Sequence, residues 1–424
     1  MTPVPRDAAS RNLNVIAAMG GEGLRLFFPL AAVHGALWPL LWAIGYGFDL
    51  PFARTTVPGQ WHAQEMIVGS FGAALIGFLT SALPEWTGTQ PMKGRPLFLL
   101  AGLWAIGRIA GLVGAEPLII VSAFADQAWF AVLIVYAARL SWCRRTTSFI
   151  GFLLFLATLA SAAGALRYAM LTDDFELGET AIRTTVFAFL GLLGLALSRI
   201  TVPVTNFILD PTEATSPYRP HPGRVNLAPA LVGLLLLAEL AGASDAVRGY
   251  LMLAAGAAFL DRVAEGFIGR EAFRSEIFAL STSSGLSGAG LLVCGLSLVG
   301  LPFSFVGGLH VMVMGGLGLG VLAVFSIAGL LHTGQPLRFS LTAKSALTAM
   351  LVAVLLRVLP EFLPQMALPG GAHSFAAACW ALSLLLWLKA YLPLLWSPET
   401  LDTTSESEAP EAFQDFRPLN ASEA

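Results

Sequence analysis

Between residues 27 and 396 the chain consists of twelve apolar stretches with little polar sequence separating them. A helix that crosses a bilayer needs roughly 20 apolar residues, and the seventh stretch is the shortest. Only 12% of the residues are charged, whereas about a quarter of a soluble domain is charged. The sequence therefore predicts an all-α integral membrane protein with about 12 transmembrane helices. The stretches are 27–46, 62–83, 96–114, 117–138, 149–171, 180–200, 227–241, 246–265, 277–300, 305–331, 342–362 and 373–396.

The positions of Lys and Arg predict the orientation of these helices, because cytoplasmic loops retain positive charge. With the N-terminus inside, fourteen Lys and Arg residues fall in cytoplasmic loops. Only Arg54, Arg183 and Arg248 fall in outer loops. Both termini are therefore predicted to be cytoplasmic, and the bias favours an even number of helices.

Composition also sets limits on function. A net charge of -3 provides no basic surface for nucleic acid, so the lipid bilayer is the expected partner. Cys143, Cys294 and Cys379 form neither a CxxC nor a C-x-x-C-H motif, which argues against a disulfide framework and against covalently attached c-type haem. The first 26 residues lack the apolar core and cleavage site of a signal peptide. The first stretch is therefore expected to remain as an anchor.

A Pro-rich segment divides the chain into two sets of six stretches. The predicted organisation is a cytoplasmic N-terminal segment (1–26), a six-helix half (27–200), a Pro-rich cytoplasmic linker (201–226), a second six-helix half (227–396) and an acidic tail (397–424). The tail has too little apolar surface to offset the entropy of ordering. We therefore expect it to be disordered.

Histidines near one predicted membrane face are the first candidates for a functional site, since polar side chains at bilayer depth are costly unless paired. His62, His310 and His373 each fall near the outer end of a predicted helix, so a shared site is geometrically feasible. Neutral imidazole is a common ligand of haem iron, copper and zinc. The alternative interpretation for each histidine is an interhelical hydrogen bond.

The other histidines are predicted at different depths. His34 is deeper in the first stretch, His332 follows the tenth on the cytoplasmic side, and His221 lies in the linker. Glu65 lies three residues after His62 and is predicted to share a helical face with it. Its carboxylate is predicted to accept a hydrogen bond from the second ring nitrogen of His62.

Ionisable residues inside or beside the apolar stretches have two interpretations. They pair across helices, or their arginines bind haem propionates or an anionic substrate. Arg108 and Asp126 are expected to pair, because their helices are adjacent and antiparallel. The residues concerned are Arg108, Asp126, Arg167, Arg199, Glu239, Asp261, Arg262 and Arg357.

Glycines are concentrated in the tenth stretch. Small residues allow helix backbones to approach closely, so tight helix packing is one interpretation and contact with a flat cofactor is the other. The glycines are Gly307, Gly308, Gly315, Gly316, Gly318 and Gly320.

Several local motifs together resemble the NnrS family of bacterial inner-membrane proteins. The resemblance extends from the first stretch to the last, and its most specific parts are a W-H-A-x-E-M run, a P-x-W-T-G turn and an H-T-G-x-P turn. In this chain they are Trp61-His62-Ala63-Gln64-Glu65-Met66, Pro84-Glu85-Trp86-Thr87-Gly88 and His332-Thr333-Gly334-Gln335-Pro336. Phe27-Phe28-Pro29-Leu30, Gly77-Phe78-Leu79-Thr80, the run from Trp104 to Arg108 and the Gly-rich helix that begins near His310 also match.

The resemblance implies a twelve-helix protein of the bacterial inner membrane that holds haem and copper. It also implies a role in nitric oxide metabolism and in protection against nitrosative stress. His62, Glu65, His310 and His332 match motif positions of the family. Arg108, Asp126 and Arg199 fall in matching helical contexts.

Two departures from the family pattern concern potential metal ligands. Gln64 stands where relatives commonly have histidine, and Ser283 lies in a run where the family tends to place another. Amide and hydroxyl oxygens are poor substitutes for imidazole at a copper centre. The resemblance therefore supports haem better than copper.

The preferred interpretation is binding of haem b by His62, with His310 or His34 as a further ligand. Nitric oxide is the expected small ligand of the iron. Glu65 would orient the ligand or relay a proton, and Arg108 or Arg199 would balance the propionate charge. If the family's copper is retained, His62, His310 and His332 are the candidate ligands.

Two other function classes stay open. One is a secondary transporter with two six-helix halves, in which Arg108, Asp126, Asp261 and Arg262 line a path. The other is a haem-based sensor or accessory protein without turnover. The sequence contains no quinone, cytochrome or nucleotide motif that identifies an electron donor, so enzyme and sensor are not distinguished.

Overall fold

The protein is all-helical over the residues that the structure, a computed structural model, describes: 8–45, 57–113, 116–212, 214–220, 222–363 and 371–401. A short helix, α1 (Ala8–Met19), is followed by twelve longer helices that coincide with the twelve predicted stretches. They are α2 (Gly23–Gly45), α3 (Pro58–Thr87), α4 (Arg95–Val113), α5 (Glu116–Cys143), α6 (Ile150–Thr172), α7 (Phe175–Leu209), α8 (Leu227–Leu240), α9 (Asp245–Asp261), α10 (Ser275–Leu298), α11 (Phe305–Leu331), α12 (Leu341–Phe362) and α13 (Ala372–Leu395).

Nine helices in the described ranges are long and apolar enough to cross a membrane. The other three of the twelve are α4, α8 and α9, of which α8 has 14 residues and α9 has 17. The prediction of an all-α, multi-pass membrane protein is thus confirmed. Twelve crossings and the cytoplasmic position of both termini remain predictions.

Four inner helices form the centre of the bundle. From α4 to α13, consecutive helices pack side by side, and α13 returns to pack against α2. The most deeply buried membrane-length helices are α3, α7, α11 and α2. They line a partly open apolar cavity of about 60 Å³, and each of the four helices contributes at least one aromatic ring: Phe28, Phe71, Phe189 and Phe325.

Two of the inner helices contain π-helical segments. In α3 the segment is Gln64–Phe71, and in α11 it is Val311–Gly318. Short π-helical segments are rare and are frequently found at functional sites. Each one here follows closely on a histidine, His62 in α3 and His310 in α11. The local winding of both helices therefore changes next to a candidate ligand.

The glycines of α11 meet side chains of neighbouring helices. A Cβ atom on Gly316 would lie 2.3 Å from Ser287 Oγ of α10, and one on Gly318 would lie 2.6 Å from a ring carbon of Trp380 of α13. These contacts agree with the packing interpretation of the Gly-rich helix.

The structure changes the bounds of two predicted segments. Helix α7 continues through Pro203 to Leu209, well into the predicted linker, because Val204 and Ile208 extend its buried face. The predicted disordered tail begins with ordered residues, since Arg25 Nη1 donates a 2.8 Å hydrogen bond to Thr400 Oγ1. His221 and residues 402–424 lie outside the described residues.

Cys143 provides a test of the predicted orientation, because it is exposed at the end of α5, in a loop assigned to the cytoplasm. We expect a membrane-impermeant maleimide to label Cys143 in inverted vesicles and not in intact spheroplasts. Cys143→Ser supplies the background. Glu179→Cys in that background is a matched control, because Glu179 is exposed near the predicted outer end of α7. Labelling of Cys143 from outside the cell would show that the topology is the opposite of the assigned one.

Candidate functional site

Four charged side chains from four successive helices meet inside the protein and form the buried charge cluster: Glu65 of α3, Arg108 of α4, Asp126 of α5 and Arg167 of α6. Each is at most 5% exposed. Arg108 Nη1 lies 3.2 Å from Glu65 Oε2, and its Nη2 donates to Asp126 Oδ1. Arg167 Nη2 lies 3.2 Å from Glu65 Oε1 and 3.0 Å from Asp126 Oδ2. The predicted Arg108–Asp126 pair is thus confirmed as part of a larger, formally neutral cluster.

Asp126 receives two further hydrogen bonds from neutral donors. Gln64 Nε2 donates to Asp126 Oδ2 at 3.1 Å, and Trp129 Nε1 donates to Asp126 Oδ1 at 3.2 Å. Gln64, the first of the two expected departures from the family pattern, therefore binds a carboxylate. Ser283, at the second departure, donates to the Gly316 carbonyl at 2.7 Å and joins α10 to α11.

His34 lies beside the buried charge cluster. Its Nε2 lies 3.4 Å from Glu65 Oε2, and its Nδ1 lies 2.8 Å from Ser70 Oγ. The predicted contact between Glu65 and His62 is replaced by contacts of Glu65 with His34, Arg108 and Arg167. The cause is the π-helical segment, which begins between His62 and Glu65 and winds more widely than the α-helix assumed in that prediction.

Three glycines make room for the cluster. A Cβ atom on Gly107 would lie 2.8 Å from Asp126 Oδ1, one on Gly111 would lie 2.9 Å from Glu65 Oε1, and one on Gly69 would lie 2.6 Å from the His34 ring. Sequence reasoning missed these residues. The available signal was the G-x-x-x-G spacing of Gly107 and Gly111 around Arg108, which is typical of close helix approach in membranes.

His62 and His310 lie together at one end of the inner helices. His62 lies within electrostatic range of His310 and Arg357, and His310 lies within the range of Arg357, Glu361 and His373. Such interactions extend over roughly 10 Å. The structure thus brings the three predicted outer histidines to the same end of the protein. Both His62 and His310 are half-buried.

The orientation of His310 is fixed by its own helix. Its Nδ1 lies 2.8 Å from the Val306 carbonyl oxygen. Because a carbonyl only accepts, Nδ1 carries the proton and Nε2 keeps the lone pair. Ser304 Oγ accepts from the Gly307 amide at the start of α11 and donates to Glu361 Oε2 at 3.0 Å. The other carboxylate oxygen of Glu361, Oε1, lies 2.9 Å from Arg357 Nη1.

His332 and Arg199 lie at the opposite end of the bundle. His332 follows α11, roughly 33 Å along the helix from His310. Its Nδ1 is 2.9 Å from Glu22 Oε1 and its Nε2 is 3.7 Å from Glu85 Oε2, so both ring nitrogens face carboxylates. Arg199 stacks over the Trp86 ring at 4.8 Å. Neither residue joins the histidine pair.

The donor set does not fit copper in the part of the chain that the structure describes. No group of three or more His, Cys, Asp or Glu side chains there is arranged to hold a metal ion. His332 is remote from the other two candidate ligands, and its imidazole is held between carboxylates. The imidazoles of His62 and His310 are instead ligands of the kind that hold haem iron in proteins.

Comparison with known proteins gives one match. The family described as NnrS protein matches residues 19–399. The chain belongs to the NnrS family. The match covers α2 to α13, and therefore both the buried charge cluster and the histidine pair of this NnrS protein. No curated protein and no solved structure matches the chain.

We expect Gly107→Ala and Gly111→Ala each to destabilise this NnrS protein by about 1–3 kcal/mol, because the added methyl overlaps a buried carboxylate oxygen. Gly102→Ala is the matched control on the same helix, since its Cβ would meet nothing within 4 Å. That change should stabilise by up to about 1 kcal/mol through helix propensity. Thermal unfolding in detergent measures the stability of all three variants. Equal stability changes at Gly102, Gly107 and Gly111 would contradict the proposed overlap with the carboxylates.

Stability should also depend on the protonation of His332. Burial alone would lower the pKa of His332, but the carboxylates of Glu22 and Glu85 outweigh it and raise this pKa from 6.5 to about 9. Because the folded value is the higher one, the stabilisation is complete below pH 6.5 and is lost as pH rises to about 9. It is on the order of 3 kcal/mol. Unfolding measured against pH should show this loss in the native protein, and His332→Gln should remove it.

Proposed function

We propose that this NnrS-family protein binds haem b through His62 and His310 and acts in nitric oxide metabolism in the bacterial inner membrane. The observation that carries the proposal is the Nδ1 hydrogen bond of His310 to the Val306 carbonyl. A bond of this kind fixes the tautomer of a ligating histidine and directs its Nε2 lone pair to the metal. The family name supports a role related to nitric oxide.

Helices α3 and α11 supply the two ligands. Both are inner helices, both carry the histidine near the same end, and both change to π winding directly afterwards. Haem held by both histidines would supply an iron atom, on which nitric oxide would take the place of one of the two imidazoles. A small neutral diatomic molecule reaches such a site through the membrane without a dedicated pore.

Arg357 is the guanidinium we propose for charge balance with the haem propionates, in place of the sequence-based candidates. Arg108 is held by two carboxylates inside the bundle, and Arg199 lies at the far end of the protein. Arg357 acts electrostatically on both His62 and His310. Its planar donor group suits carboxylates, as its contact with Glu361 illustrates.

The transporter alternative required Arg108, Asp126, Asp261 and Arg262 to line one path. The first two belong to the buried charge cluster, whereas Asp261 pairs with Arg224 at 2.9 Å. Arg262 Nη1 donates to the Gly194 carbonyl at 3.1 Å. These residues form separate groups on different helices, so the structure favours the haem proposal. A haem sensor without turnover uses the same histidine pair, and a nitric oxide turnover assay with an added electron donor separates it from an enzyme.

Absorption spectra of the detergent-purified protein, oxidised and reduced, test the proposal. We expect a Soret band that shifts on reduction and shifts again when nitric oxide is added. His62→Ala and His310→Ala should each lose most of this absorbance, because each removes a proposed ligand of the iron. His221→Ala, in the predicted linker, should retain it. Full haem content in both ligand variants, or a colourless native protein after expression with haem supplied, would refute the proposal.

A further inference from the structure

The buried charge cluster is balanced when both carboxylates are ionised, with two arginines opposite Glu65 and Asp126. The two carboxylates are nevertheless unequally bound. Asp126 accepts from Arg108, Arg167, Gln64 and Trp129. Glu65 accepts one bond from each arginine, and its third neighbour is the His34 imidazole. Glu65 is therefore the carboxylate that loses fewer hydrogen bonds when it takes up a proton.

The His34 ring connects Glu65 with a hydroxyl group. Its Nε2 faces Glu65 Oε2 at 3.4 Å, its Nδ1 faces Ser70 Oγ at 2.8 Å, and the Ser70 hydroxyl is 3.5 Å from the Glu65 backbone oxygen. A hydroxyl is both donor and acceptor and rotates to suit its partners. His34 Nε2 makes no hydrogen bond within the described residues. A small turn of the imidazole toward Glu65 Oε2 would give this chain of groups two complete hydrogen-bonding arrangements.

In the first arrangement Glu65 is ionised, His34 Nε2–H donates to Glu65 Oε2, and the Ser70 hydroxyl donates to His34 Nδ1. In the second, one proton has been added. His34 Nδ1–H donates to Ser70 Oγ, the Ser70 hydroxyl turns to the Glu65 backbone oxygen, and the carboxylic acid of Glu65 donates to His34 Nε2. The added proton binds at Nδ1 while the Nε2 proton moves to Glu65, so the imidazole is neutral in both arrangements.

We propose that Glu65, with His34 as its relay, is a proton-accepting site in the membrane interior of this protein. The site needs no cofactor, so it stands apart from the proposed haem function. The charged groups that face it are Arg108 of α4, Asp126 of α5 and Arg167 of α6. Histidine and carboxylate chains of this kind are typical of proton relays in membrane proteins.

Unpaired polar atoms indicate the direction from which the site is reached. Gln64 Oε1 and Gln60 Oε1, one helical turn apart at the start of α3, are buried and have no hydrogen-bond partner within the described residues. Trp38 Nε1, on the residue whose ring packs edge-on against His34, is a third. Buried polar groups in proteins are nearly always hydrogen-bonded, to ordered water where no side chain serves. Because Gln60 and Gln64 lie between the start of α3 and Glu65, we expect the proton to reach the site from the His62 end of α3.

Infrared spectroscopy of the full-length protein in lipid detects the proton directly. As the pH is lowered over the range in which the protein stays folded, we expect a carboxylic acid C=O band to appear, to shift in D₂O, and to shift again when the glutamates are labelled with ¹³C. Glu65→Gln should remove the band. Glu239→Gln is the matched control, because Glu239 is likewise buried between two arginines, Arg183 and Arg248, without a histidine. That variant should keep the band.

His34→Phe is a second variant that leaves all four charges of the cluster balanced, so its folding is not at issue on charge grounds. It removes the acceptor of the Glu65 proton, and the C=O band should move to the frequency of a less strongly hydrogen-bonded acid. A native protein without any glutamate acid band in this pH range would overturn the proposal. A band that survives in Glu65→Gln, or one that is unchanged in His34→Phe, would overturn it as well.

Discussion

The cost of placing charge inside a membrane protein determines the arrangement of the first half of the chain. A single unpaired ion in the interior costs several kcal/mol even after relaxation, and four of them lie together on α3 to α6. Because Arg108 and Arg167 each reach both Glu65 and Asp126, no one residue can leave without exposing an uncompensated charge. The four helices are thereby fixed relative to one another, and α3 is fixed in the centre of the bundle.

Close helix approach is the condition that makes this pairing feasible. Gly107 and Gly111 present bare backbone to the two carboxylates, so the charged groups meet without displacing the helices. In α11 the same principle serves apolar packing, where Gly316 and Gly318 receive side chains from α10 and α13. Glycines thus allow close packing around both helices that carry a candidate ligand. For α3 the glycine is Gly111 of α4, and for α11 the glycines are its own.

The sequence predicted the membrane class, the position of each helix and the Arg108–Asp126 pair, because these depend on hydropathy and on the adjacency of consecutive helices. It did not predict that Glu65 turns away from His62, since α-helical periodicity was assumed and the π segment departs from it. The contact of His34 with Glu65 was not predicted either, because contact between α2 and α3 at that depth depends on three-dimensional packing. The contacts of His332 were not predicted for a related reason. Its carboxylate partners, Glu22 and Glu85, come from two other parts of the chain.

The π segments also change the relation between the position of a residue along the helix axis and the direction of its side chain. In an α-helix each residue is rotated by about 100° from the one before it, so the direction of a side chain follows from its distance along the axis. Removing one residue from the π segment of α3 would let the helix wind regularly. The turn that carries His62 would then be rotated by about 100° relative to the residues after Phe71. A single insertion or deletion at this point thus changes which groups face the histidine pair without altering the bundle that supports it.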